Sequence, residues 1–330
     1  MPDLKPLHTN QRLLLEELIA RGATVEIFDV ENEWVRVTLN GVTHDLIDRT
    51  SPVVSHVPAV LAADKFMTKR ILRAANIRVP DGGLFSEDSI EEALRFAAAR
   101  DYKVVFKPNH GSHGNGVETE INGEDGLLRI IERYLNRAGA ADFIVEALVE
   151  GLEHRVLITT KGDYAVLQRE PAHVIGDGKN TIEDLAGAET AHRAKVKREQ
   201  GSALCPVAID KGTERFLKSA GRSLSDVPAQ GEKVYLRRIS NLALGGVSRD
   251  MTEVAHGSVI RIAETILGCF KGLAVIGVDF ITPDITRDQQ GIAYGIIEVN
   301  ANPGLSMHMM PAIGDPQPVA RYVADVMFPR

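Results

Sequence analysis

The chain has 330 residues, 44% of them hydrophobic and 25% charged, and its 45 Asp and Glu outnumber its 38 Lys and Arg to give a net charge of −7. This length suits two domains or one large domain with subdomains. The acidic balance argues against nucleic-acid binding through a basic face, and two cysteines are too few for a disulfide framework. No apolar run is long enough to cross a membrane, and the first residues lack a signal-peptide pattern. We therefore expect a cytoplasmic protein with no nucleic-acid or membrane partner.

The first part of the chain, to about residue 57, predicts a small α/β unit. Apolar residues recur at helical spacing between Leu13 and Ile19, and Gly22 supplies a stop. The segments TVEIFDV and EWVRVTLNGVTHDLI follow as strands, and Asn40-Gly41 is a strong hairpin signal within the second. We interpret this unit as a cap rather than as a complete nucleotide-binding fold.

The next stretch predicts two helices, at 62–75 and 89–100. Lys65 and Lys69 lie one turn apart on one face of the first helix. Taken alone, such a pair is more typical of a solvated charged face than of an anion site.

A glycine cluster follows the second helix and a strand. The strand YKVVFKP ends at Lys107-Pro108, and GSHGNG occupies 111–116. Glycines after a strand are typical of loops that bind phosphate through backbone N–H groups, and Lys107 could reach the same phosphate from below. The spacing matches neither the Walker nor the Rossmann template, so a flexible hairpin tip is an equal alternative.

The segment FIVEALVEGLEH predicts a strand that ends in an acidic corner and could bind adenosine. Glu146 ends the apolar part of the strand, and the backbone from Ala147 to Val149 could hydrogen-bond an adenine edge. Glu153 is spaced to accept hydrogen bonds from ribose hydroxyls. Many strands end in an acidic turn, so this signal alone is weak.

Residues 176–233 are more polar, and we expect a mostly surface insertion there. The segment LRRISNLALGG comes next and combines two arginines with an amide and a glycine pair. Arg238, Asn241 and Gly245-Gly246 therefore predict a mobile anion-binding loop.

Three oxygen-bearing side chains in two late strands predict a metal site. Asp279 lies in AVIGVDFI, and Glu298 and Asn300 lie in YGIIEVNAN. Side chains alternate along a strand, and a short polar turn suits an antiparallel pair, so the three can meet on one face. Hard oxygen ligands favour Mg²⁺, with Mn²⁺ as a substitute. The alternative is a solvated face, which three ligands in one register make less favoured.

In chain order these motifs resemble those of ATP-grasp enzymes: DK…TK on a helix, Lys-Pro after a strand, a glycine loop, an acidic hinge, GVDF and IIEVNANPG. The segments HRVLITTKGDYAVLQREPAHVIGDGKNTIEDL and KVYLRRISNLALGG are similar to the ATP-grasp domain of bifunctional glutathione synthetases and of cyanophycin synthetases. The resemblance implies an α+β ATP-grasp fold at 58–330, after an N-terminal α/β cap at 1–57. Residues 58–145 would carry the lid and 146–330 the metal site.

The resemblance also implies roles for individual residues. Those expected to bind ATP are Lys65, Lys107, Gly111, Ser112, Gly114, Gly116, Glu146, Ala147, Val149 and Glu153. Those expected to hold Mg²⁺ are Asp279, Glu298 and Asn300. Those expected to lie near the transferred phosphate are Arg238 and Asn241.

The implied reaction is ATP-dependent joining of a carboxylate to an amine through an acyl phosphate, with amino acids or short peptides as substrates. Related enzymes are commonly homodimers. A small-molecule kinase and a non-catalytic nucleotide-binding partner subunit are the alternatives. Ser306 stands where the cyanophycin-type ending would have an arginine, which leaves the substrates open. His173 and His308 receive no role from the sequence.

Overall fold

The computed structural model describes residues 2–48, 50–111, 116–138, 142–200 and 204–329. Helices and strands are mixed throughout, which confirms the predicted α+β class. The α-helices are α1 (Thr9–Ala20), α2 (His56–Ala63), α3 (Lys65–Ala74), α4 (Ile90–Ala98), α5 (Gly123–Ala138), α6 (Ile182–Gln200), α7 (Lys211–Ser219), α8 (Gly257–Cys269), α9 (Ser306–Met309) and α10 (Val319–Met327). None of these described helices is long and apolar enough to span a bilayer.

The strands belong to four sheets. They are β1 (Thr24–Asp29), β2 (Trp34–Leu39), β3 (Val42–Ile47), β4 (Gly82–Phe85), β5 (Val104–Pro108), β6 (Phe143–Ala147), β7 (Leu152–Thr159), β8 (Tyr164–Glu170), β9 (His173–Ile175), β10 (Lys233–Tyr235), β11 (Val247–Asp250), β12 (Val275–Thr282) and β13 (Gly295–Asn300). Their orders are β1-β2-β3, β4-β6-β5, β10-β9 and, in the central sheet, β11-β8-β7-β12-β13.

The N-terminal unit is a three-stranded antiparallel sheet with α1 beside it. β2 and β3 pair up to Leu39↔Val42, so the hairpin predicted at Asn40-Gly41 is confirmed. The φ angles of these two turn residues are 52° and 76°. Positive φ at both positions is the requirement of the type I′ turn that Asn-Gly favours.

The first and last helices of the chain pack against each other and against the central sheet. Leu14 of α1, Val323 of α10 and Leu157 of β7 belong to one buried hydrophobic cluster. Arg21 adds a salt bridge to Asp325, with 2.7 Å between NH1 and Oδ1. The N-terminal unit is therefore fixed to the central sheet through the C-terminal helix.

The helix predicted over 62–75 is two helices, because Asp64 ends α2 and caps α3. Its Oδ1 accepts a hydrogen bond from the Met67 N–H at 2.8 Å. Ala62 and Leu72 join a second hydrophobic cluster formed by the central sheet and α8. This part of the predicted lid-bearing segment thus packs on the central sheet, and the division into subdomains stays a prediction.

The region 176–233, which we expected to be a mostly surface insertion, is largely exposed or half-buried but also contributes to a small hydrophobic core. Ile182 and Ala186 of α6 and Leu217 of α7 are buried together with Val174 and Val234. The polar composition comes from the solvent-facing sides of the two helices, which obscure the few inward apolar positions.

The linker between β6 and β7 passes close to the end of β12, and Gly151 makes this approach possible. Its φ is +141°, and a Cβ there would lie 2.5 Å from the carbonyl carbon of Thr282. We expect Gly151→Ala to lower the free energy of unfolding by roughly 2–4 kcal/mol in urea titrations. Gly162→Ala is the control, because Gly162 also has positive φ but no atom lies within 4 Å of its Cβ position. The free energy of unfolding of Gly162→Ala should fall by only about 1 kcal/mol. Equal losses of stability in the two variants would contradict the steric explanation.

Candidate functional site

A buried carboxylate between two lysines forms the first part of the candidate site. Glu146 on β6 is 2% exposed, and Lys107 on β5 donates from Nζ to its Oε1 at 2.6 Å. Lys69 on α3 donates to its Oε2. Burial alone would raise the pKa of Glu146, but the two ammonium groups hold it below its usual range. Burial, reinforced by the charge of Lys107, lowers the pKa of Lys69 to about 7 although Glu146 opposes the shift.

Lys65 connects the glycine loop with the late strands. Its Nζ donates to the carbonyl of Gly111 at 2.6 Å and lies 3.9 Å from Oε2 of Glu298. Asn109, just after β5, accepts at Oδ1 from the Phe66 N–H at 3.0 Å. The start of α3 is therefore tied to the chain that follows β5. Burial lowers the pKa of the Lys65 ammonium, and Glu298 partly offsets that shift.

The predicted convergence of Asp279, Glu298 and Asn300 is confirmed at the level of strand register. In the antiparallel pair β12–β13, Asp279 lies opposite Glu298 and Gly277 lies opposite Asn300. Directly opposed residues of an antiparallel pair point to the same face of a sheet. The three side chains therefore share one face, as the alternation of the two strands predicted.

Two arginines from neighbouring strands occupy the oxygens of Asp279. Arg155 of β7 donates from Nε to Oδ1, and Arg169 of β8 donates to Oδ2 at 2.9 Å. Arg169 also pairs with Glu153. Burial would raise the pKa of Asp279, but the two guanidinium groups lower it below its usual range. Gly277 leaves room for Arg155, since a Cβ there would lie 3.2 Å from the arginine's Cδ.

The donor set of Asp279, Glu298 and Asn300 fits a hard divalent cation. Burial raises the pKa of Glu298, and the opposing negative charge of Asp279 raises it further. The Nδ2 atom of Asn300 is buried without a hydrogen-bond partner among the described residues. Each carboxylate oxygen has two lone pairs, so the arginines leave acceptor capacity on Asp279. The described residues contain no group of three or more His, Cys, Asp or Glu side chains that could hold a metal ion. The proposed site differs from such a group because its third ligand is the amide of Asn300.

The predicted adenosine-binding residues lie along the linker from β6 to β7. Besides the contacts of Glu146, the backbone N–H of Ala147 donates to the carbonyl of Asp81 at 2.7 Å. The side chain of Val149 lies against Gly295 of β13. Glu153 pairs with Arg169 rather than standing free. The linker thus connects the β4-β6-β5 sheet with the central sheet. Nucleotide binding by these residues stays a prediction.

Arg238 and Asn241 each form a hydrogen bond within the loops that carry or face them. Arg238 donates from Nε to Oε1 of Glu120 at 2.7 Å, which connects it to the chain after the glycine loop. Asn241 accepts at Oδ1 from the Ala243 N–H at 2.9 Å. Their proximity to a transferred phosphate stays a prediction.

The glycine loop lies partly outside the described residues. Ser112 and Gly114 fall in the part that is not described. Gly111 and Gly116 have φ of 127° and 74°, the left-handed region that glycine adopts readily. Phe106 and Glu118 form a β-bridge across the base of this loop. The two ends of the loop are therefore held together beside Lys107.

Sequence reasoning missed three of the charged groups in this region. Lys69 is 3% exposed, whereas its spacing from Lys65 suggested a solvated face. Arg155 and Arg169 are single arginines in otherwise apolar strands, and that isolation was an available signal. A charge flanked by apolar strand residues needs a compensating partner, and alternation places Arg155 on the face that carries Asp279.

No protein-family model matches the chain. Individual proteins of two kinds are similar to it over most of its length. It is 35% identical over 291 residues to cyanophycin synthetase from Trichormus variabilis, a match that covers 88% of this chain and 32% of the relative. It is 30% identical over 328 residues to the glutathione biosynthesis bifunctional protein of Clostridium perfringens, covering 98% of this chain and 41% of the relative. The crystal structure of a bifunctional glutathione synthetase from Pasteurella multocida matches 98% of this chain and 44% of its own, with 27% identity and a TM-score of 0.68. The chain thus spans less than half the length of these relatives.

Proposed function

Because the chain is an ATP-grasp protein related to cyanophycin synthetase and to bifunctional glutathione synthetase, we propose that it joins a carboxylate to an amine with ATP as the energy source. ADP and phosphate are the other products. The substrates in this proposal are amino acids or short peptides, as the names of the relatives suggest. An acyl phosphate is the intermediate, so no nucleophilic side chain of the protein is required.

The observation that carries this proposal is an array of charges where the β4-β6-β5 sheet and the central sheet meet α3. Five cations and four carboxylates form three groups of ion pairs, and they come from β5, β6, β7, β8, β12, β13 and α3. The cations are Lys65, Lys69, Lys107, Arg155 and Arg169. The carboxylates are Glu146, Glu153, Asp279 and Glu298. A site of this kind suits a polyphosphate and a second anion held side by side.

In this proposal the lysines bind the phosphates of ATP. Lys69 and Lys107 both bind Glu146, and the Nζ of Lys65 lies 3.9 Å from Oε2 of Glu298. The adenosine would then lie along the linker from Glu146 to Glu153. Mg²⁺, held by Asp279, Glu298 and Asn300, would neutralise charge on the phosphates when bound.

The two arginines are proposed to hold the carboxylate substrate and the phosphate that it receives. Two anions repel each other as they approach, so attack by a carboxylate on ATP requires cations on both sides. Arg155 and Arg169 lie beside Asp279, next to the proposed metal ligands. The Nε of Arg169 is buried without a partner in the described chain, so it can still donate to an arriving oxygen. The ion pair between Arg238 and Glu120 connects the loop after β10 with the chain that follows the glycine loop. We propose that these two loops exclude water from the acyl phosphate.

A matrix of carboxylates and amines, assayed for ADP, phosphate and product mass, tests the function. We expect ADP formation that depends on both substrates. The mass of the product should equal the mass of the carboxylic acid plus that of the amine minus one water molecule. γ-Glutamylcysteine with glycine represents one family of relatives, and an aspartyl peptide with arginine represents the other. A phosphorylated product without amine addition would instead show a kinase. Nucleotide binding without turnover for every pair would favour a non-catalytic partner subunit.

A further inference from the structure

The imidazole of His308 is a buried polar group that none of the roles above uses. His308 lies on the short helix α9 and is 1% exposed. Neither ring nitrogen has a hydrogen-bond partner among the described residues. A buried polar atom without a partner costs about 1–3 kcal/mol, so its retention needs an explanation.

His308 lies where the apolar core meets the charged array. Its neighbours Leu305 and Met309 pack in the cluster shared by α1 and α10. α9 contacts β8, the strand that carries Arg169. Burial, with a smaller contribution from the positive charges of Arg155 and Arg169, lowers the pKa of His308 to about 3. The imidazole is therefore neutral beside two cations.

Two other buried atoms in this region also lack partners, and both are donors. They are Nε of Arg169 and Nδ2 of Asn300. Donors of this kind suit the oxygens of a carboxylate or phosphate. The unprotonated nitrogen of a neutral imidazole is different, because it is an acceptor and suits an N–H group. The unpaired atoms therefore match a ligand that carries acceptor oxygens next to an N–H.

The backbone around His308 is held from two sides, so the main chain that carries the ring is fixed before any ligand binds. Asn10 of α1 accepts at Oδ1 from the N–H groups of Leu305 and Ser306, both at 2.8 Å. Gln317 donates its N–H to the carbonyl of His308 at 2.9 Å. Side chains that contact a substrate work best when the backbone supporting them is rigid.

We propose that His308 contacts the amine substrate, with one ring nitrogen accepting a hydrogen bond from the attacking amino group. This assignment rests on the ligase function proposed above and adds the residue that orients the nucleophile. A carboxylate in this position would favour the ammonium form, which has no lone pair with which to attack. A neutral acceptor orients the N–H while leaving the amine uncharged.

The step balances without a charge on His308. The amine nitrogen forms the C–N bond, and the bond between the acyl carbon and the phosphate oxygen breaks with its electron pair leaving on phosphate. One amine proton moves to that phosphate, giving the amide and HPO₄²⁻. His308 holds the remaining N–H and remains neutral throughout.

The test separates acyl-phosphate formation from attack by the amine. Hydroxylamine at high concentration traps the acyl phosphate as a hydroxamate and does not depend on the amine-binding site. We expect His308→Leu to keep hydroxamate formation within about twofold of the wild type and to lower kcat/KM for the amine roughly tenfold or more. His308→Gln retains an acceptor of similar reach and should lose less than His308→Leu. If His308→Leu does not fold, His308→Gln takes its place in the comparison of hydroxamate formation with kcat/KM for the amine.

His154→Leu is the matched control. His154 is also buried with neither ring nitrogen partnered in the described chain, and burial lowers its pKa to about 4. It precedes Arg155 on β7, so its side chain points to the opposite face of the sheet. We expect this control to change stability but not the ratio of amide to hydroxamate formation.

Three results would overturn the assignment. An unchanged kcat/KM for the amine in active His308→Leu protein would remove His308 from the site. Equal losses of hydroxamate and amide, or the same shift in His154→Leu, would make its role structural. A wild-type protein that forms neither hydroxamate nor amide would refute the ligase function itself, and the assignment with it.

Discussion

Replacing Glu298 by glutamine is expected to lower ATP-dependent turnover by about 10³-fold while leaving the fold unchanged. The substitution removes one negative charge and one strong oxygen donor from the proposed metal site, and a metal ion's stabilisation of transition-state charge amounts to several kcal/mol. The protein should tolerate the loss well. The pKa of Glu298 is raised by burial and by Asp279, so its negative charge is unfavourable in the folded state. Its cationic neighbour, Lys65, lies 3.9 Å away.

The measurement compares ADP formation and urea unfolding for the wild type, Glu298→Gln and Glu264→Gln. Glu264 is an exposed glutamate on α8 and serves as the control for the chemical change alone. Free energies of unfolding should agree within about 1 kcal/mol across the three proteins. Full turnover in Glu298→Gln would refute the metal assignment of this residue.

The corresponding change at Asp279 is a weaker test because it disturbs the fold as well. Both oxygens of Asp279 accept hydrogen bonds from arginines, the buried Arg155 and the half-buried Arg169. Asn at this position removes the anion that the two guanidinium groups share, although Arg169 keeps Glu153 as a partner, and breaking a buried ion pair from one side typically costs about 3–5 kcal/mol. Loss of turnover in Asp279→Asn therefore mixes two causes, which the change at Glu298 separates.

The sequence predicted correctly that the proposed metal ligands share one face of the sheet, because strand alternation is a strict local rule. Asp279 and Glu298 stand in apolar strands joined by the polar segment 283–294, and this pattern places them on one face of an antiparallel pair. Strand pairing then adds only the register, which is Asp279 opposite Glu298. The same logic extends to Arg155, whose strand pairs with β12 on its other side. The pairing of β7 with β12 depends on tertiary packing, so it cannot be predicted from the periodicity of the sequence.

The remaining misses have the same origin. Lys69 looks like a surface residue from helical spacing, but α3 packs so that its ammonium reaches Glu146, 77 positions further along the chain. His308 lies in the four-residue helix α9, too short for any periodicity, and its burial depends on α1, β8 and α10. Composition also hid the small core of the insertion, because a few inward residues such as Leu217 suffice to form it. Each of these features is a long-range contact.

Replacing Lys69 by methionine is expected to weaken ATP binding roughly 10–100-fold, because a charge-assisted hydrogen bond is typically worth about 1.5–3 kcal/mol. Glu146 keeps Lys107 as its partner, with 2.6 Å between Nζ and Oε1. The free energy of unfolding should therefore change by no more than about 1 kcal/mol. Lys65→Met should lower turnover more than affinity, since Lys65 lies beside Glu298. Lys271→Met, at an exposed position, is the control and should match the wild type.

The pH dependence of ATP affinity distinguishes a direct phosphate contact by Lys69 from an indirect packing effect. In the free protein burial lowers the pKa of Lys69 to about 7, so the side chain loses its proton as the pH rises above that value. A bound phosphate favours the ammonium and raises this pKa, so binding above pH 7 must take up a proton. Affinity should then fall by up to about tenfold per pH unit between pH 7.5 and 9.5. Calorimetry in buffers of different ionisation enthalpy should detect the uptake, and Lys69→Met should reduce both effects to the part that Lys65 contributes. A wild-type affinity that is flat over this range would place the phosphates away from Lys69 and return the role to Lys65 and Lys107.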